Sequence, residues 1–285
     1  MTTCISYEDI LPAVSNQILG PILEKLESAT RTSISRNLQG KYAIAYSAGI
    51  DSSILAKIAS DELELVTLLT LGGEGSSDLL RVGNDSLANG NRFRLIAKTI
   101  TPFDIQRAAL EVSRFVTVSS LSHFEDCVSF WLVASNAKEI AGVEYIASAN
   151  GPDELFCGYD RFRRLVDEKG YHEAEKEISK ALRSAALLQR QVRELISRFG
   201  YDTIEPFLDK AFIEFSLQVP IEYKILMGND FLRKRIWRCL GRRVGVSDST
   251  VLQRKKAMQY GMGIHPIVLS LVRKKKIEIG NSFHG

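Results

Sequence analysis

The sequence lacks the features that mark zinc-binding, membrane and secreted proteins. Its four cysteines, Cys4, Cys127, Cys157 and Cys239, lie far apart, with no CxxC pair and no histidine at ligand spacing. This argues against a zinc site and favours free thiols in a reducing compartment. No run of about 18 apolar residues could span a membrane, and residues 1–8 lack the basic and apolar regions of a secretory signal. We therefore expect a soluble, cytoplasmic protein that does not bind membranes.

An excess of charge of one sign is also absent. Lysine and arginine number 37 against 34 aspartates and glutamates, a formal net charge of +3. So small an excess does not indicate a nucleic acid as the main partner. The hydrophobic share of 45% and the charged share of 25% are those of a globular protein and exclude wholesale disorder. The length of 285 residues predicts one large or two modest domains.

Strand and helix patterns alternate along the first half of the chain. Apolar runs at residues 42–46, 65–71, 93–100 and 143–149 have strand character, and helical periodicity separates them. This order predicts the α/β class, with a doubly wound parallel sheet covered by helices on both faces. No strand pattern is visible after about Tyr159, so we expect the rest to be helical. The predicted organisation, in sequence order, is an N-terminal helical segment (1–38), an α/β core (39–160) and a helical C-terminal part (161–285).

The first motif, SAGIDSS at residues 47–53, lies between a predicted buried strand and a helix. A small turn containing glycine lets backbone N–H groups approach a phosphate, and the helix directs its positive end to the same place. Asp51 cannot bind an anion directly, but an acid beside a phosphate site is useful if it holds Mg²⁺. The alternative is a simple helix cap, for which Ser and Asp are also suited. The motif is not a Walker A loop, because GxxxxGK followed by Ser or Thr is absent.

The second motif, SANGPDELFCGY at residues 148–159, follows the fourth predicted strand. Ligands of doubly wound sheets bind outside the carboxyl ends of the strands. If the first and fourth strands are neighbours, Asp153 would face Asp51, and the two carboxylates would form a Mg²⁺ site. The alternative is a turn followed by a helix with acids in its first turn.

Together the two motifs resemble the synthetase domain of asparagine synthetase and its relatives, including β-lactam synthetase, which belong to the PP-loop ATP pyrophosphatases. The family signature SGGxDS matches residues 47–52, with Ala48 in place of the first glycine, and SGEGSDExFGGY is similar to residues 148–159. Further segments resemble the family in the same order: residues 71–79 its VGLxGSPDL stretch, residues 206–209 its PFLD stretch and residues 254–256 its RxK segment.

The resemblance implies an adenine nucleotide α-hydrolase-like fold and an ATP- and Mg²⁺-dependent ligase. An aspartate-like carboxylate would be adenylated with release of pyrophosphate, and ammonia or another amine would then attack. By resemblance, the ATP-binding residues are Ala45, Ser47, Gly49, Asp51, Ser52, Leu71 and Ala149, the metal ligands are Asp51 and Asp153, and the catalytic positions are Lys256, Asp153 and Asn150.

The chain departs from the family at two of these places. Asn150 stands where asparagine synthetases carry a glutamate, and an amide cannot take up a proton or hold an ammonium by charge. Ile204 stands where the family has an arginine before PFLD, which puts the recognition of the substrate anion in question. The resemblance begins near residue 40, so we expect no glutaminase domain before it. We expect nitrogen to come from free ammonia, another amine or a separate glutaminase subunit.

Two other functions stay open at this point. The chain could be a PP-loop enzyme that modifies tRNA, for which arginine clusters at 161–164 and 242–243 offer a basic surface. It could also be a nucleotide-binding subunit that has lost catalysis, as the changes at Asn150 and Ile204 would allow. Small-molecule substrates are the expected partners in the ligase hypothesis, and the sequence leaves homo-oligomerisation open.

Overall fold

The computed structural model describes residues 6–12, 16–118 and 120–279. Cys4 and parts of the expected N-terminal helical segment, residues 1–5 and 13–15, lie outside the described residues. Cys127, Cys157 and Cys239 are buried free thiols, as expected.

A five-stranded parallel sheet forms the centre of the fold, in the order β3-β2-β1-β4-β5. Its strands are β1 (Tyr42–Ala45), β2 (Val66–Gly72), β3 (Phe93–Thr99), β4 (Tyr145–Ala147) and β5 (Asp202–Ile204).

Helices follow the strands and fill the C-terminal part. They are α1 (Tyr7–Ile10), α2 (Asn16–Asn37), α3 (Ile50–Glu62), α4 (Ser77–Gly83), α5 (Pro102–Val112), α6 (Leu121–Ala137), α7 (Pro152–Leu155), α8 (Asp160–Lys169), α9 (Tyr171–Ser197), α10 (Lys210–Gln218), α11 (Arg235–Arg243), α12 (Asp248–Val251), α13 (Met258–Gly261) and α14 (His265–Arg273), with short 3₁₀ helices at Pro206–Leu208 and Ile221–Tyr223. Within the described part of the chain, no helix is long and apolar enough to cross a membrane.

Both faces of the sheet are covered, which confirms the predicted doubly wound α/β class. On one face, α2, α3 and α11 enclose a core that includes Leu26, Ile54 and Trp237. On the other, α5, α6, α9 and α14 enclose a second core that includes Val128 and Leu195. Each large apolar side chain that is fully buried contributes about 1.5–3 kcal/mol, so these two layers hold the loops at the sheet edge in fixed positions.

The expectation of a wholly helical C-terminal part is wrong at one element. Strand β5 adds to the edge of the sheet beside β4, where Tyr145 is paired with Asp202 and Ala147 with Ile204. Three residues are too few to show an alternating pattern, so no strand was predicted there. The C-terminal part is thereby joined to the core sheet through backbone hydrogen bonds.

Candidate active site

The two sequence motifs emerge side by side from the sheet. Strands β1 and β4 are neighbours, with Ile44 paired to Ala147. The chain proceeds from β1 to β2 and β3 in one direction, and β4 and β5 lie on the other side of β1. The boundary between β1 and β4 is therefore the point where the strand order reverses, which is where open α/β sheets bind ligands. Every site residue predicted from the sequence lines one cavity of about 330 Å³ at this edge.

The loop after β1 has the geometry of an anion cradle. Gly49 is the N-cap of α3 and has no side chain with which to cap the helix, so the backbone N–H groups of the first turn lack a capping acceptor from this residue. The hydroxyls of Ser47 and Ser52 lie 3.3 Å apart and both face the cavity. Ala48 has a φ of 52°, a left-handed conformation that glycine adopts most easily. The alanine thus keeps the turn that the missing family glycine would make.

The loop after β4 is held against the 3₁₀ helix at Pro206–Leu208. Gly151 has a φ of 116°, and a Cβ on it would lie 2.7 Å from the backbone oxygen of Phe207. Only glycine fits this close approach. Pro152 then starts α7, whose first turn carries Asp153 and Glu154. The turn therefore directs Asp153 towards the loop after β1.

Asp51 and Asp153 do meet, but they meet around a lysine. The Nζ atom of Lys234 lies 2.6 Å from Oδ2 of Asp51 and 2.8 Å from Oδ1 of Asp153, and the lysine side chain is fully buried. The indole N–H of Trp237 donates to the other oxygen of Asp51 at 2.9 Å. Lys255 lies 3.1 Å from the other oxygen of Asp153. All four carboxylate oxygens thus have a partner from the chain itself.

The charges in this cluster stabilise one another. Burial by itself would raise the pKa of Asp153, but the ammonium groups of Lys234 and Lys255 outweigh burial and hold that pKa well below its usual range. Burial by itself would lower the pKa of Lys234, but the carboxylates of Asp153 and Asp51 raise it. Asp153 is therefore a carboxylate and Lys234 an ammonium near neutral pH.

The acid pair is suited to bind a cation. The ammonium of Lys234 occupies the position between the two carboxylates that a metal ion would take. Two carboxylate oxygens converge on a single point, which is the arrangement that Mg²⁺ uses when nucleotide phosphates supply its remaining ligands. No group of three or more Asp, Glu, His or Cys side chains suited to a metal occurs among the described residues. The chain by itself thus offers a divalent ion only part of a coordination shell.

The segment after α12 closes the cavity. The guanidinium of Arg238 is buried in α11 and donates to the backbone oxygen of Gln253 at 2.9 Å, which anchors the segment that carries Arg254, Lys255 and Lys256. Lys255 points to Asp153, whereas the Nζ atom of Lys256 donates to the hydroxyl of Ser77 at 2.9 Å. The two neighbouring lysines therefore contact different groups, and the role predicted for Lys256 stays a prediction.

The apolar end of the cavity is formed by Ala45, Leu71, Ala149 and Met262. The backbone N–H of Gly73 donates to the oxygen of Met262 at 2.9 Å, which ties the end of β2 to the closing segment. Small and aliphatic side chains here leave a slot of the kind that a flat heterocycle can enter.

A half-buried acid that the sequence did not single out also lines the cavity. Asp126 on α6 lines the wall one turn after His123. Burial is the main cause that raises the pKa of Asp126 to about 7, and the carboxylates of Glu125 and Glu154 add to the increase. The positive charge of Lys255 acts in the opposite direction but is weaker. Its protonation therefore changes near neutral pH.

Asn150 contacts a second carboxylate that was not predicted. Its side-chain amide donates to Oε1 of Glu205 at 3.4 Å. Glu205 follows β5 and is buried, and burial raises its pKa although hydrogen bonds from Gln189 and Asn150 oppose the increase. A carboxylate is thus present beside position 150 even though that position itself carries an amide.

Sequence patterns offered little sign of these additional residues. Lys234 lies in a basic stretch, RKR, that is typical of an exposed helix start, and Asp126 and Glu205 belong to no motif. The sequence identified only residues that belong to recognisable motifs, most of them at or just after the ends of strands.

Fold and site together define a parallel α/β protein with an anion cradle and an acid pair at the point where the strand order reverses. The sequence profile of the family described as asparagine synthase matches residues 25–202. The chain belongs to the asparagine synthase family.

Curated relatives point in the same direction. The chain is 31% identical over 206 residues to a putative glutamine-hydrolysing asparagine synthetase from Methanocaldococcus jannaschii, a match that covers 71% of this chain and 37% of the relative. It is 27% identical over 195 residues to the glutamine-hydrolysing asparagine synthetase 3 of Arabidopsis thaliana, covering 65% of this chain and 33% of the relative. The chain thus spans about a third of the length of these relatives.

Solved structures show a more distant similarity. An NMN synthetase from Francisella tularensis aligns with a TM-score of 0.35 and 13% identity, over 93% of this chain and 99% of that one. A U34-tRNA thiolase from Methanococcus maripaludis aligns with a TM-score of 0.40 and 10% identity, over 92% and 84%.

Proposed function

We propose that this chain is an ATP-dependent ligase that adenylates a small carboxylate, aspartate or a similar acid, and passes the acyl group to ammonia or another amine. The observation that carries the proposal is the meeting of Asp51 and Asp153 at one cation position beside the loop at residues 47–49. Family membership supports the same conclusion, since the curated relatives are named as asparagine synthetases.

In the first step a carboxylate oxygen attacks the α-phosphorus of ATP, and the bond from that phosphorus to the bridging oxygen of pyrophosphate breaks. The N–H groups at the start of α3 and the hydroxyls of Ser47 and Ser52 would hold the pyrophosphate. Asp51 and Asp153 would hold Mg²⁺ together with the phosphates, and that ion would neutralise charge on the leaving group. Leu71 and Ala149 would contact the adenosine. Lys256, at the mouth of the cavity, would add a further positive charge.

In the second step the amine nitrogen attacks the acyl carbon, and AMP leaves with the electrons of the former acyl–oxygen bond. The attacking amine must lose a proton. Asn150 cannot accept it, but Asn150 is hydrogen-bonded to the carboxylate of Glu205, whose pKa is raised by burial. The pair supports an amine site on this side of the cavity.

The basic clusters do not favour a nucleic acid as the substrate. Their arginines are engaged in ion pairs within the chain: Arg161 with Glu177, Arg163 and Arg164 with Asp160, Arg242 with Asp248 and Arg243 with Glu27. Arginines neutralised in this way attract phosphates less than free ones. The acid pair and Lys256 are likewise present, which supports an enzyme over a subunit without catalysis.

The test is the exchange of labelled pyrophosphate into ATP in the presence of Mg²⁺ and candidate carboxylates. Exchange that needs aspartate, followed by formation of AMP and an amide when ammonium is added, is the expected result. Exchange with another carboxylate would keep the reaction type and change the substrate. The matched control is Asp51→Asn, which should show no exchange. No exchange with any carboxylate, in a chain that binds ATP, would refute the ligase proposal.

A further inference from the structure

Lys234 is placed between the acids by a backbone that is unusual for a lysine. It is the N-cap of α11 with a φ of 50°, in the left-handed region, and Arg233 before it has a φ of 54°. Residues other than glycine adopt this region at a cost in conformational energy. Gly158 leaves space for the side chain, since a Cβ on that glycine would lie 2.2 Å from Cε of Lys234. The surrounding structure thus favours this position of the ammonium in the nucleotide-free chain.

The acid pair and its lysines have no net charge. Two carboxylates, Asp51 and Asp153, are matched by two ammonium groups, Lys234 and Lys255. A divalent ion placed at the same point would be repelled by the ammonium of Lys234, which already lies within 2.6–2.8 Å of both acids. The protein would also supply such an ion with only two carboxylate ligands. Nucleotide phosphates supply both the missing negative charge and the missing oxygen ligands.

We propose that Lys234 is a resident counter-cation that keeps free divalent metal out of the acid pair, so that metal binds there only together with nucleotide. The inference rests on the metal position in the proposed function but not on the ligase reaction. Removing the ammonium leaves the half-buried carboxylates of Asp51 and Asp153 facing each other with a net charge of −1, since only Lys255 and the neutral indole N–H of Trp237 remain as partners. Because buried charges require a partner, such a pair would take up a divalent ion from solution.

The experiment is a titration of the nucleotide-free chain with Mn²⁺, followed by electron paramagnetic resonance of the free ion. The wild type should show only weak binding. Lys234→Met should bind one Mn²⁺ at least about tenfold more tightly, since a unit charge a few ångströms from the metal is gone. The matched control is Lys224→Met, which removes another lysine that is 1% exposed but whose Nζ donates to the backbone oxygen of Ser216 at 2.8 Å, not to the acids. It should behave as the wild type.

A second arm adds α,β-methylene-ATP, an analogue that cannot release pyrophosphate. The wild type should then hold Mn²⁺ in a ternary complex with a spectrum distinct from that of the analogue with Mn²⁺ alone, and Asp153→Asn should not. Absence of the ternary complex in the wild type would overturn the coupling of metal to nucleotide.

Two results of the first arm would overturn the proposal. One is tight Mn²⁺ binding by the nucleotide-free wild type that Asp153→Asn removes. The other is equally weak binding by the wild type and by folded Lys234→Met, with Lys234→Gln as the substitute if the methionine variant does not fold. Since neither arm needs turnover, a failed exchange assay would refute the ligase proposal without deciding this one.

Discussion

Replacement of Asp126 by asparagine should stabilise the protein, and the gain should depend on pH. The carboxyl group of Asp126 has its pKa raised from an ordinary value of 3.8 to about 7, chiefly by burial. Between these two values the native state holds a proton that the unfolded state has released. The contribution of Asp126 to the free energy of unfolding is therefore largest below about pH 4. It decreases as the pH rises towards 7 and does not recover above that pH.

The size of the effect follows from the difference between the two pKa values. A change from 3.8 to about 7 corresponds to about 4 kcal/mol of lost native stability at alkaline pH. Asp126 faces the cavity and keeps partial access to solvent, which reduces the cost of its charge. We expect Asp126→Asn to raise the free energy of unfolding by about 1–3 kcal/mol at about pH 8, and by much less at about pH 4.

Urea denaturation at several pH values measures this difference directly. The control is Glu194→Gln on α9, which removes an exposed carboxylate and should change the unfolding free energy little at any pH. A constant difference between Asp126→Asn and the wild type from about pH 4 to 8 would show that Asp126 does not titrate in this range, and the reasoning from burial would be wrong.

Three further substitutions test the site. Asp51→Asn should abolish Mg²⁺-dependent exchange of pyrophosphate in a chain that stays folded but has a lower thermal midpoint, because the buried ammonium of Lys234 loses one of its two carboxylates; normal exchange would remove the assigned metal role. Lys256→Ala should slow exchange about 100-fold or more by loss of a charge at the leaving group, and a rate equal to the wild type would exclude that role. Gly158→Ala places a Cβ 1.9 Å from Oδ1 of Asp153 and should cost about 1–3 kcal/mol in urea denaturation. Gly83→Ala, with open space around its Cβ, is the control and should cost less.

Local sequence patterns predict much of the fold and those cavity residues that belong to the two motifs. Strands β1 to β4 are apolar runs bounded by glycine or polar turns, and their alternation with helices requires parallel pairing. The meeting of Asp51 and Asp153 could be predicted because each follows a parallel strand, and such strands end at one edge of the sheet. Strand β5 could not, because three residues at a sheet edge carry no periodicity.

The rest of the site depends on residues brought from far along the chain. Lys234 is 183 positions from Asp51 in the sequence. The direction of its side chain depends on a left-handed backbone conformation, which the residue types around it do not predict. Glu205 reaches Asn150 only because β5 pairs with β4. Local patterns report local geometry, so contacts made through tertiary packing have no counterpart in them.

Contacts of this kind also compensate for two departures from the family motifs, Asn150 and Ala48. The side-chain amide of Asn150, which lines the cavity, donates a hydrogen bond to the buried carboxylate of Glu205. A proton acceptor is therefore separated from the cavity only by the side chain of Asn150. The alanine at position 48 adopts the left-handed turn of the glycine it replaces. In the first case a carboxylate lies behind the cavity wall, in contact with Asn150; in the second the N–H groups of the turn are retained. A double variant, Asn150→Glu with Glu205→Gln, returns the carboxylate to the family position; it should keep amide formation that Glu205→Gln alone loses. Wild-type amide formation by Glu205→Gln alone would show that Glu205 takes no part.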